Sequence, residues 1–543
     1  MRLLQLSALA ALVVLSSFLL WGSAQAQEAE SVTSKDPGRL TPQEQQGKQI
    51  YLTGESPAGE PITALMGESS IEVPASTLPC GNCHGRDGKG NPEGGVTPTD
   101  LTWPALTKPY GVRHESGREH PPYTVSLLKR AIAMGFDPAG NELHVAMPRY
   151  RMTLGDMEAL VAYLQRLGAD PDPGVTTEAL HLGTLLPPQG QATGIDRAIQ
   201  AVLDAFVAEV NQRGGLYGRR LILHTHRLAR DPAERRAGVE TFLDTTPVFA
   251  LVGAFLAGSE QEITTLVAER EVPLIGPFTL HPQTGFPINR QVFYLLAGLA
   301  TQGRVLVDFA AERHPSEETV GEGPTAVVVF SPGDAERALE AMESQAKLYG
   351  WQLQRHPLPS AGQDGMGLEL ARELGKKGVE RLFLLHPLAG DPEFLAALPS
   401  VELYVPGAFV TPALLESAAA SEGRFFLVVP SLPADQTPQA MTRYRRLAET
   451  YDLPQGHRAT QLATLAATEV LLEGLKQAGR DVSREKLIAA LETLYEHRTG
   501  MLPPITYNPN RRVGAEGAYV MALDAKIGSL RPVGGFREPV SRR

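Results

Sequence analysis

The feature that most constrains this chain is the short run that contains its only two cysteines, Cys80 and Cys83, with His84 directly after them. A cysteine pair with this spacing is compatible with a disulfide, a redox-active dithiol or half of a zinc site. The histidine decides between them, because C-x-x-C-H is the attachment motif of haem c. The two thiols bind the haem covalently, and the histidine becomes the proximal ligand of the iron. The sequence therefore predicts one covalent haem c.

The surroundings of the motif agree with this prediction. Pro79 precedes it and a glycine-rich segment, residues 85–95, follows it. A thioredoxin-like dithiol would instead follow a strand and open a helix. A zinc site would need two further ligands at metal spacing, and the neighbouring sequence offers none.

The N-terminus is typical of a secretory signal. Arg2 precedes an apolar run from Leu3 to Leu20, and the small residues Ser23, Ala24 and Ala26 form a cleavage site. We expect cleavage after Ala26, which makes residues 1–26 a signal peptide and the periplasm of a Gram-negative-type cell the location. The alternative is a retained membrane anchor, since the run has about the length of a minimal membrane span.

Two stretches on either side of the motif carry a family resemblance. Thr41 to Leu52 has the pattern of an N-terminal helix, with Gly47 and Tyr51 on it, and Met147-Pro-Arg-Tyr150 precedes an amphipathic helix from Leu154 to Leu167. Together with the run Cys-His-Gly-Arg-Asp-Gly-Lys-Gly, they make residues 38–168 resemble the class I cytochromes c. The resemblance implies a small all-α domain.

The resemblance also implies that Met147 is the sixth ligand of the haem iron, opposite His84. A thioether ligand raises the reduction potential, which suits electron transfer. His144 is the main alternative; the domain also contains Met134, Met152, Met157, His114 and His120. Met157 lies on the apolar stripe of the last helix and is expected to fill the core. The spacing between Tyr51 and Cys80 is longer than the family's, so we interpret Thr53 to Thr77 as an inserted surface loop.

A proline-rich segment, residues 169–177, predicts a linker after this domain. Beyond it, strand-like apolar runs alternate with helical patterns, beginning with Leu180–Leu186 and Ala192–Arg213 and beginning again at Ala326–Phe330. Such alternation indicates parallel sheets with helices on both faces. About 370 residues are too many for one such sheet, so two α/β lobes are expected.

Markers in this half occur in the order found in the type I periplasmic binding proteins of the branched-chain amino-acid-binding branch. They include Leu182-Gly-Thr-Leu185, Val272 to Pro277 and Thr506 to Arg511. The resemblance implies a two-lobed fold over residues 178–540. Its first lobe would comprise about 178–299 and 432–505, and its second about 300–431 and 506–540, with a ligand in the cleft between them.

The cleft residues implied by this resemblance are Ser259 and Thr279, whose hydroxyls would anchor an anion, with Gln191 and Asp334 at strand ends. According to the resemblance, Ala300 and the segment Pro406-Gly-Ala-Phe409 stand where the family has acidic residues that hold an ammonium group. An ammonium without a carboxylate would be poorly compensated in a closed cleft. We therefore expect a small organic acid, an alcohol, an aldehyde or no ligand, and not an α-amino acid.

The net charge of −11 argues against nucleic-acid binding and favours a partner with a basic face. No catalytic motif is present, so the chain is not expected to be an enzyme. The first hypothesis is an electron carrier for a periplasmic dehydrogenase, with a downstream cytochrome or oxidase as acceptor. The alternative is a solute receptor of an ABC transporter or sensor, with the haem as a redox reporter. A peroxide-reducing haem is a third, which a stable Met147–iron bond would oppose.

Overall fold

The structure, a computed structural model, describes residues 40–541 except 68, 91–95, 115, 169–170, 191–193, 316–324, 334, 360–365, 387, 389–390, 399–400, 411–423 and 525–528. The chain divides into two compact units between Pro171 and Asp172, inside the predicted linker 169–177. Val175 is buried in the core of the second unit, so the later part of that linker belongs to this unit. The predicted signal peptide, residues 1–26, lies outside the described residues.

The first unit is mainly helical, as predicted. Its helices are α1 (Pro42–Thr53), α2 (Cys80–His84), α3 (Trp103–Leu106), α4 (Val125–Met134) and α5 (Leu154–Arg166). Its strands are β1 (Thr63–Met66), β2 (Ile71–Pro74), β3 (Val112–Arg113), β4 (Glu119–His120) and β5 (Arg149–Arg151). Thr41 and Glu44 form a capping box at the start of α1, which satisfies two amides that have no partner within the helix.

Helices α1 and α5 pack closely against each other and form the core of this unit. A Cβ atom on Gly47 would lie 1.9 Å from the carbonyl oxygen of Ala159, so only glycine permits this approach. Tyr51 and Leu160 are completely buried beside the crossing, and Met157 is buried in the same core. This confirms that Met157 fills the core.

The inserted segment between Tyr51 and Cys80 differs from the prediction of a surface loop. Residues of β1 and β2 form an antiparallel hairpin, and β1 also pairs with β5 to give a three-stranded sheet in the order β2-β1-β5. Ile62, Ala64 and Ala75 are buried in the core. The insertion is therefore an integral part of the domain, because its alternate apolar residues pack into the core.

The second unit begins with β6 (Ala179–Leu186). Its helices are α6 (Ile195–Gln212), α7 (Pro232–Thr245), α8 (Glu260–Glu269), α9 (Leu299–Arg313), α10 (Glu336–Ala346), α11 (Met366–Lys376), α12 (Pro392–Ala396), α13 (Pro438–Thr450), α14 (Arg458–Ala478) and α15 (Arg484–Glu492). Its further strands are β7 (Arg220–Arg227), β8 (Ala250–Val252), β9 (Leu274–Ile275), β10 (Val292–Leu296), β11 (Thr325–Phe330), β12 (Gln352–Pro357), β13 (Arg381–Leu385), β14 (Glu402–Pro406), β15 (Phe425–Val429), β16 (Val513–Ala515), β17 (Tyr519–Asp524) and β18 (Ser529–Pro532). None of the helices in the described part of the chain is long and apolar enough to cross a membrane.

These strands form two sheets, one for each lobe. The first has the order β16-β10-β9-β8-β6-β7 with parallel pairs. The second has the order β12-β11-β13-β14-β15-β17-β18, in which β17 and β18 are antiparallel. Because β16 pairs with β10, the chain stays in the first lobe until Ala515. The last crossing between lobes therefore lies between 515 and 519, later than the predicted boundary at 505/506.

Both sheets are buried on both faces, which explains the continuous apolar runs of their strands. In β6, Leu182 and Leu186 belong to one apolar cluster while Leu185 belongs to another. In β11, Val328 contacts the core on one face and Val329 the core on the other. Parallel sheets covered by helices on each side are the predicted α/β architecture.

A partly buried ionic group stabilises the second lobe, and its stability is predicted to depend on pH. The carboxylate of Glu402 accepts hydrogen bonds from Tyr404 (2.6 Å), Arg313 (2.9 Å) and His314 (2.7 Å). Although burial raises the pKa of this carboxyl, the three donors outweigh it and lower the pKa to about 2. The stabilisation is therefore complete above the usual carboxyl pKa and is lost as pH falls towards 2. We expect Glu402→Gln to cost about 2 kcal/mol at neutral pH.

This prediction is checked by urea unfolding of the wild type and the variant between neutral and acidic pH. The difference in unfolding free energy should shrink as pH falls through this window. Glu380→Gln is the matched control, because Glu380 lies 74% exposed beside Arg381 and an exposed pair contributes little. A cost that stays constant down to acidic pH would contradict the prediction.

Candidate functional site

The motif Cys80–His84 forms the short helix α2, and the residues on each side fix its position. Pro79 precedes it in an extended conformation, and Gly85 follows it with φ of 74°, a value that favours glycine. The hydroxyl of Tyr51, on α1, donates a hydrogen bond of 2.7 Å to the carbonyl of Gly85. The end of the motif is thus attached to the packed crossing of α1 and α5.

His84 has the properties of a proximal iron ligand. Its side chain is buried, and its Nδ1 lies 2.9 Å from the carbonyl oxygen of Thr99. A carbonyl can only accept, so Nδ1 carries the hydrogen and the lone pair is on Nε2. Burial lowers the pKa of His84, which keeps the imidazole neutral. A neutral ring that is oriented through Nδ1 is the form that binds a metal through Nε2.

The two cysteines differ in environment. Cys80 packs against the core of the first unit, whereas Cys83 is exposed. Burial raises the pKa of the Cys80 thiol to about 12, so its charged form is strongly disfavoured. A thioether has no charge to bury, and the environment of Cys80 therefore suits the covalent adduct.

The candidates for the sixth ligand lie in different surroundings. Met147 and Met152 are partly buried against the core, whereas Met134 is 61% exposed. His144 is exposed, and its Nδ1 accepts a hydrogen bond of 3.2 Å from the amide of Ala146. Partial burial makes Met147 and Met152 the two methionines best compared by experiment, and Met147 stays the prediction.

His114 and His120 take part in a separate polar cluster. Their Nε2 atoms lie 3.1 Å apart, and Arg118 lies 3.1 Å from Nε2 of His114. Arg118 also pairs with the buried carboxylate of Asp137 at 2.8 Å. Both histidines thus have hydrogen-bond partners within this cluster.

The residues of the first unit fit a covalent haem. They supply two thiols three positions apart and a buried imidazole with its Nδ1 engaged. Cys80 and the thioethers of Met147 and Met152 pack against the same apolar core. This is the donor set of haem c, and the group supplies a one-electron couple at its iron.

In the second unit, the predicted anion anchor Ser259 directs its hydroxyl inwards. Ser259 is 6% exposed, and its Oγ donates to the carbonyl of Leu256 at 2.9 Å. It precedes α8 without capping that helix through its side chain. The hydroxyl therefore stabilises the loop after β8 and is already engaged within the lobe.

Thr279 makes contact with a carboxylate that the sequence analysis did not single out. Its Oγ1 donates to Glu260 at 2.8 Å and accepts from the amide of His281 at 2.8 Å. The other oxygen of Glu260 accepts from the amide of Gly258 at 3.0 Å. A carboxylate at the first position of α8 is favoured by the helix dipole. An acidic residue directly after Ser259 is therefore the sequence feature from which this contact could have been predicted. The lobe thus presents its own anion beside Thr279.

The other predicted cleft residues, Gln191 and Asp334, lie outside the described residues. Three residues before Asp334 in the sequence, Ser331 follows β11 at its carboxyl end. Its Oγ is buried and has no hydrogen-bond partner among the described residues. In a parallel sheet this edge is where ligands bind, so Ser331 is a further candidate for the second lobe.

Comparisons with protein families match both units. The family described as periplasmic binding protein matches residues 179–527, and the family described as cytochrome c matches residues 75–168. No curated relative matches the chain.

Solved structures of substrate-binding proteins share the fold of the second unit. A fatty acid ABC transporter substrate-binding protein from Thermomonospora curvata is 18% identical, with a TM-score of 0.52 over 68% of this chain and 95% of its own. A branched-chain amino acid ABC transporter protein from Thermus thermophilus with bound valine is 16% identical, with a TM-score of 0.53 over 66% and 97%. An ABC transporter substrate-binding protein from Aeropyrum pernix is 16% identical, with a TM-score of 0.55 over 67% and 97%.

Proposed function

The chain belongs to the periplasmic binding protein family, and from this premise we propose that it is a periplasmic electron carrier with one covalent haem. Single electrons would pass through this haem from a periplasmic dehydrogenase to a downstream cytochrome or oxidase. The binding-protein unit would dock to the dehydrogenase or bind a small organic ligand related to its substrate. The observation that carries the proposal is His84 itself: it directly follows the two cysteines, it is buried, and its Nδ1 donates to the carbonyl of Thr99, which leaves Nε2 for the iron.

Electron transfer is favoured over haem catalysis by the candidate axial ligands. His84 would hold the haem iron through Nε2, and Met147 would be its second protein ligand. Because Met147 would compete with peroxide for the iron, we propose that the protein is not an enzyme. A methionine ligand also raises the reduction potential, as a carrier between a dehydrogenase and an oxidase requires.

The ligand we favour for the cleft is uncharged. The hydroxyl of Thr279 is engaged by Glu260, and the hydroxyl of Ser259 by Leu256. A carboxylate ligand would meet the charge of Glu260 instead of two free hydroxyl groups. Among the predicted classes, a small alcohol or aldehyde therefore suits this wall of the cleft better than an acid does.

The second candidate function is a solute receptor in which the haem reports the redox state. It is favoured by the fold, since the solved structures named above belong to ABC transporter binding proteins. The two proposals differ in whether ligand binding and haem reduction are coupled, because coupling between sites is reciprocal.

A redox titration of the full-length holoprotein separates them. We expect a single one-electron wave whose midpoint is the same with and without short alcohols, aldehydes and carboxylates. We also expect a purified periplasmic alcohol dehydrogenase to reduce the protein during turnover. The control is the Cys80→Ser/Cys83→Ser variant, which has no covalent haem to reduce.

Two outcomes would reject the electron-carrier proposal. A midpoint that moves with one of these ligands would favour the receptor with a redox reporter. Rapid oxidation of the reduced haem by peroxide, together with peroxide turnover, would favour the enzymatic alternative.

A further inference from the structure

We propose that Arg149 is a positioning residue that holds the Met147 segment in place, and that the inserted hairpin β1–β2 supports it. This inference rests on the proposed function, because it concerns the persistence of the bond between Met147 and the iron. It goes beyond the ligand set by assigning a role to a residue and to an insertion that do not bind the haem themselves.

The side chain of Arg149 connects two points of the loop that carries Met147. Its Nη1 donates to the carbonyl of Met147, and its Nη2 donates to the carbonyl of Leu143 at 3.1 Å. Hydrogen bonds from a charged donor are stronger than those between neutral groups. One guanidinium therefore fixes the loop 143–147 from both ends, and Met147 with it.

The backbone leaves a specific space for this guanidinium. Gly135 ends α4 with φ of 76°, and a Cβ atom there would lie 1.6 Å from Nε of Arg149. The carbonyl of Gly135 also accepts from the amide of Leu143 at 2.8 Å. Arg149 thus fits against a glycine that could not be replaced without displacing the side chain.

The inserted hairpin holds the strand from which Arg149 projects. In the register of β1 and β5, Leu65 lies opposite Arg149 and Ala64 opposite Tyr150. The hydroxyl of Tyr150 donates to the carbonyl of Leu78 at 2.6 Å and lies beside Cys80. The strand that follows Met147 is therefore connected both to the insertion and to the segment that enters the haem motif.

This arrangement has a consequence for the iron. An external ligand can bind only while Met147 is away from the metal, so its apparent affinity is reduced by the small fraction of open molecules. A segment fixed by Arg149 opens rarely, which would keep the Met147 thioether available to the iron. Loss of the guanidinium contacts should raise the open fraction without unfolding the domain.

Imidazole binding to the oxidised full-length holoprotein measures that fraction. We expect Arg149→Gln to bind imidazole about tenfold more tightly than the wild type, as the loss of charged hydrogen bonds predicts. Arg149→Lys, which keeps the charge, should lie between them. Gly135→Ala should resemble Arg149→Gln, because the new Cβ displaces the guanidinium while the charge remains.

Each variant has a matched control in the same unit. Arg151→Gln removes the same charge two residues away. Arg151 is 66% exposed, and it forms an exposed ion pair with Glu72 in which nitrogen and oxygen lie 3.6 Å apart. Gly140→Ala introduces the same backbone strain at φ of 87°, with open space around the new Cβ. Both controls should bind imidazole within about twofold of the wild type, since exposed pairs contribute little.

The far-red band that arises from sulfur bound to iron separates this inference from the proposed function. If the wild type lacks the band, Met147 is not a ligand and the positioning role falls together with that ligand assignment. If the band is present but Arg149→Gln and Gly135→Ala bind imidazole as their controls do, only the positioning role is overturned. In the expected case, the band of both variants is lost on heating before the far-ultraviolet dichroism changes.

Discussion

Replacing both Cys80 and Cys83 by serine is expected to abolish covalent haem while the second unit remains folded. A hydroxyl cannot form the thioether, and His84 alone would leave the haem free to dissociate. The second unit has apolar clusters of its own on both faces of each sheet. Haem staining after denaturing electrophoresis and a pyridine haemochrome assay should therefore detect no covalent haem. Calorimetry should still show the unfolding transition of the second unit.

The single variants and a control make this result specific. Asn82→Ala alters an exposed side chain inside the same motif and should keep its full haem content. Cys83→Ser and Cys80→Ser should each retain at most one thioether, and Cys80→Ser also changes a side chain that packs against the core. Full covalent haem in the double variant would contradict the assignment of both cysteines.

The parts of the fold that were predictable are those in which local patterns and burial agree. The predicted strand Leu180–Leu186 and the observed β6 (Ala179–Leu186) nearly coincide, because a strand buried on both faces is apolar throughout. The predicted helix Leu154–Leu167 is observed as α5 (Leu154–Arg166), with the buried Leu167 at its C-cap. Such segments carry their own signal, and their neighbours in space reinforce it.

The two features that were predicted wrongly, the inserted segment and the last lobe boundary, depend on strand partners that are distant in sequence. The segment Thr53–Thr77 contains glycine, proline and serine, which predict a loop, yet β1 pairs with β5 more than eighty residues later. The short strand β16 likewise belongs to the first lobe because of β10, which lies far before it in the chain. Nothing in the local sequence of either segment identifies its partner.

The candidate site was predictable where a motif carries the chemistry and less so where geometry decides. Cys80, Cys83 and His84 follow from their spacing alone. The partner of His84, the carbonyl of Thr99, is a backbone group, and any residue type could supply it. Similarly, a serine at position 259 suggests a hydroxyl that is available to a ligand. The direction of this hydroxyl, however, is set by the turn that brings the carbonyl of Leu256 within hydrogen-bond distance.

Replacing Met147 by alanine is expected to produce the largest change in the redox properties of the protein. Loss of a thioether ligand destabilises the reduced iron, and axial ligands tune haem potentials over a range of roughly 0.8 V. We expect the midpoint potential to fall by on the order of 100 mV or more, with loss of the far-red band. A spectroelectrochemical titration of the holoprotein measures both quantities.

Met152→Ala is the matched control for this experiment. Met152 is the next methionine in the chain, directly after β5, and it packs against the same core while remaining partly buried. Its replacement by alanine removes the same side-chain volume from the first unit as Met147→Ala does. It should therefore lower stability modestly and leave the far-red band in place. If the band is lost in Met152→Ala and kept in Met147→Ala, the axial ligand is Met152. If the wild type itself has no far-red band, neither methionine is a ligand. The iron would then be bound by a histidine or have an open position opposite His84. The peroxide-reducing alternative would then gain the support that the electron carrier loses.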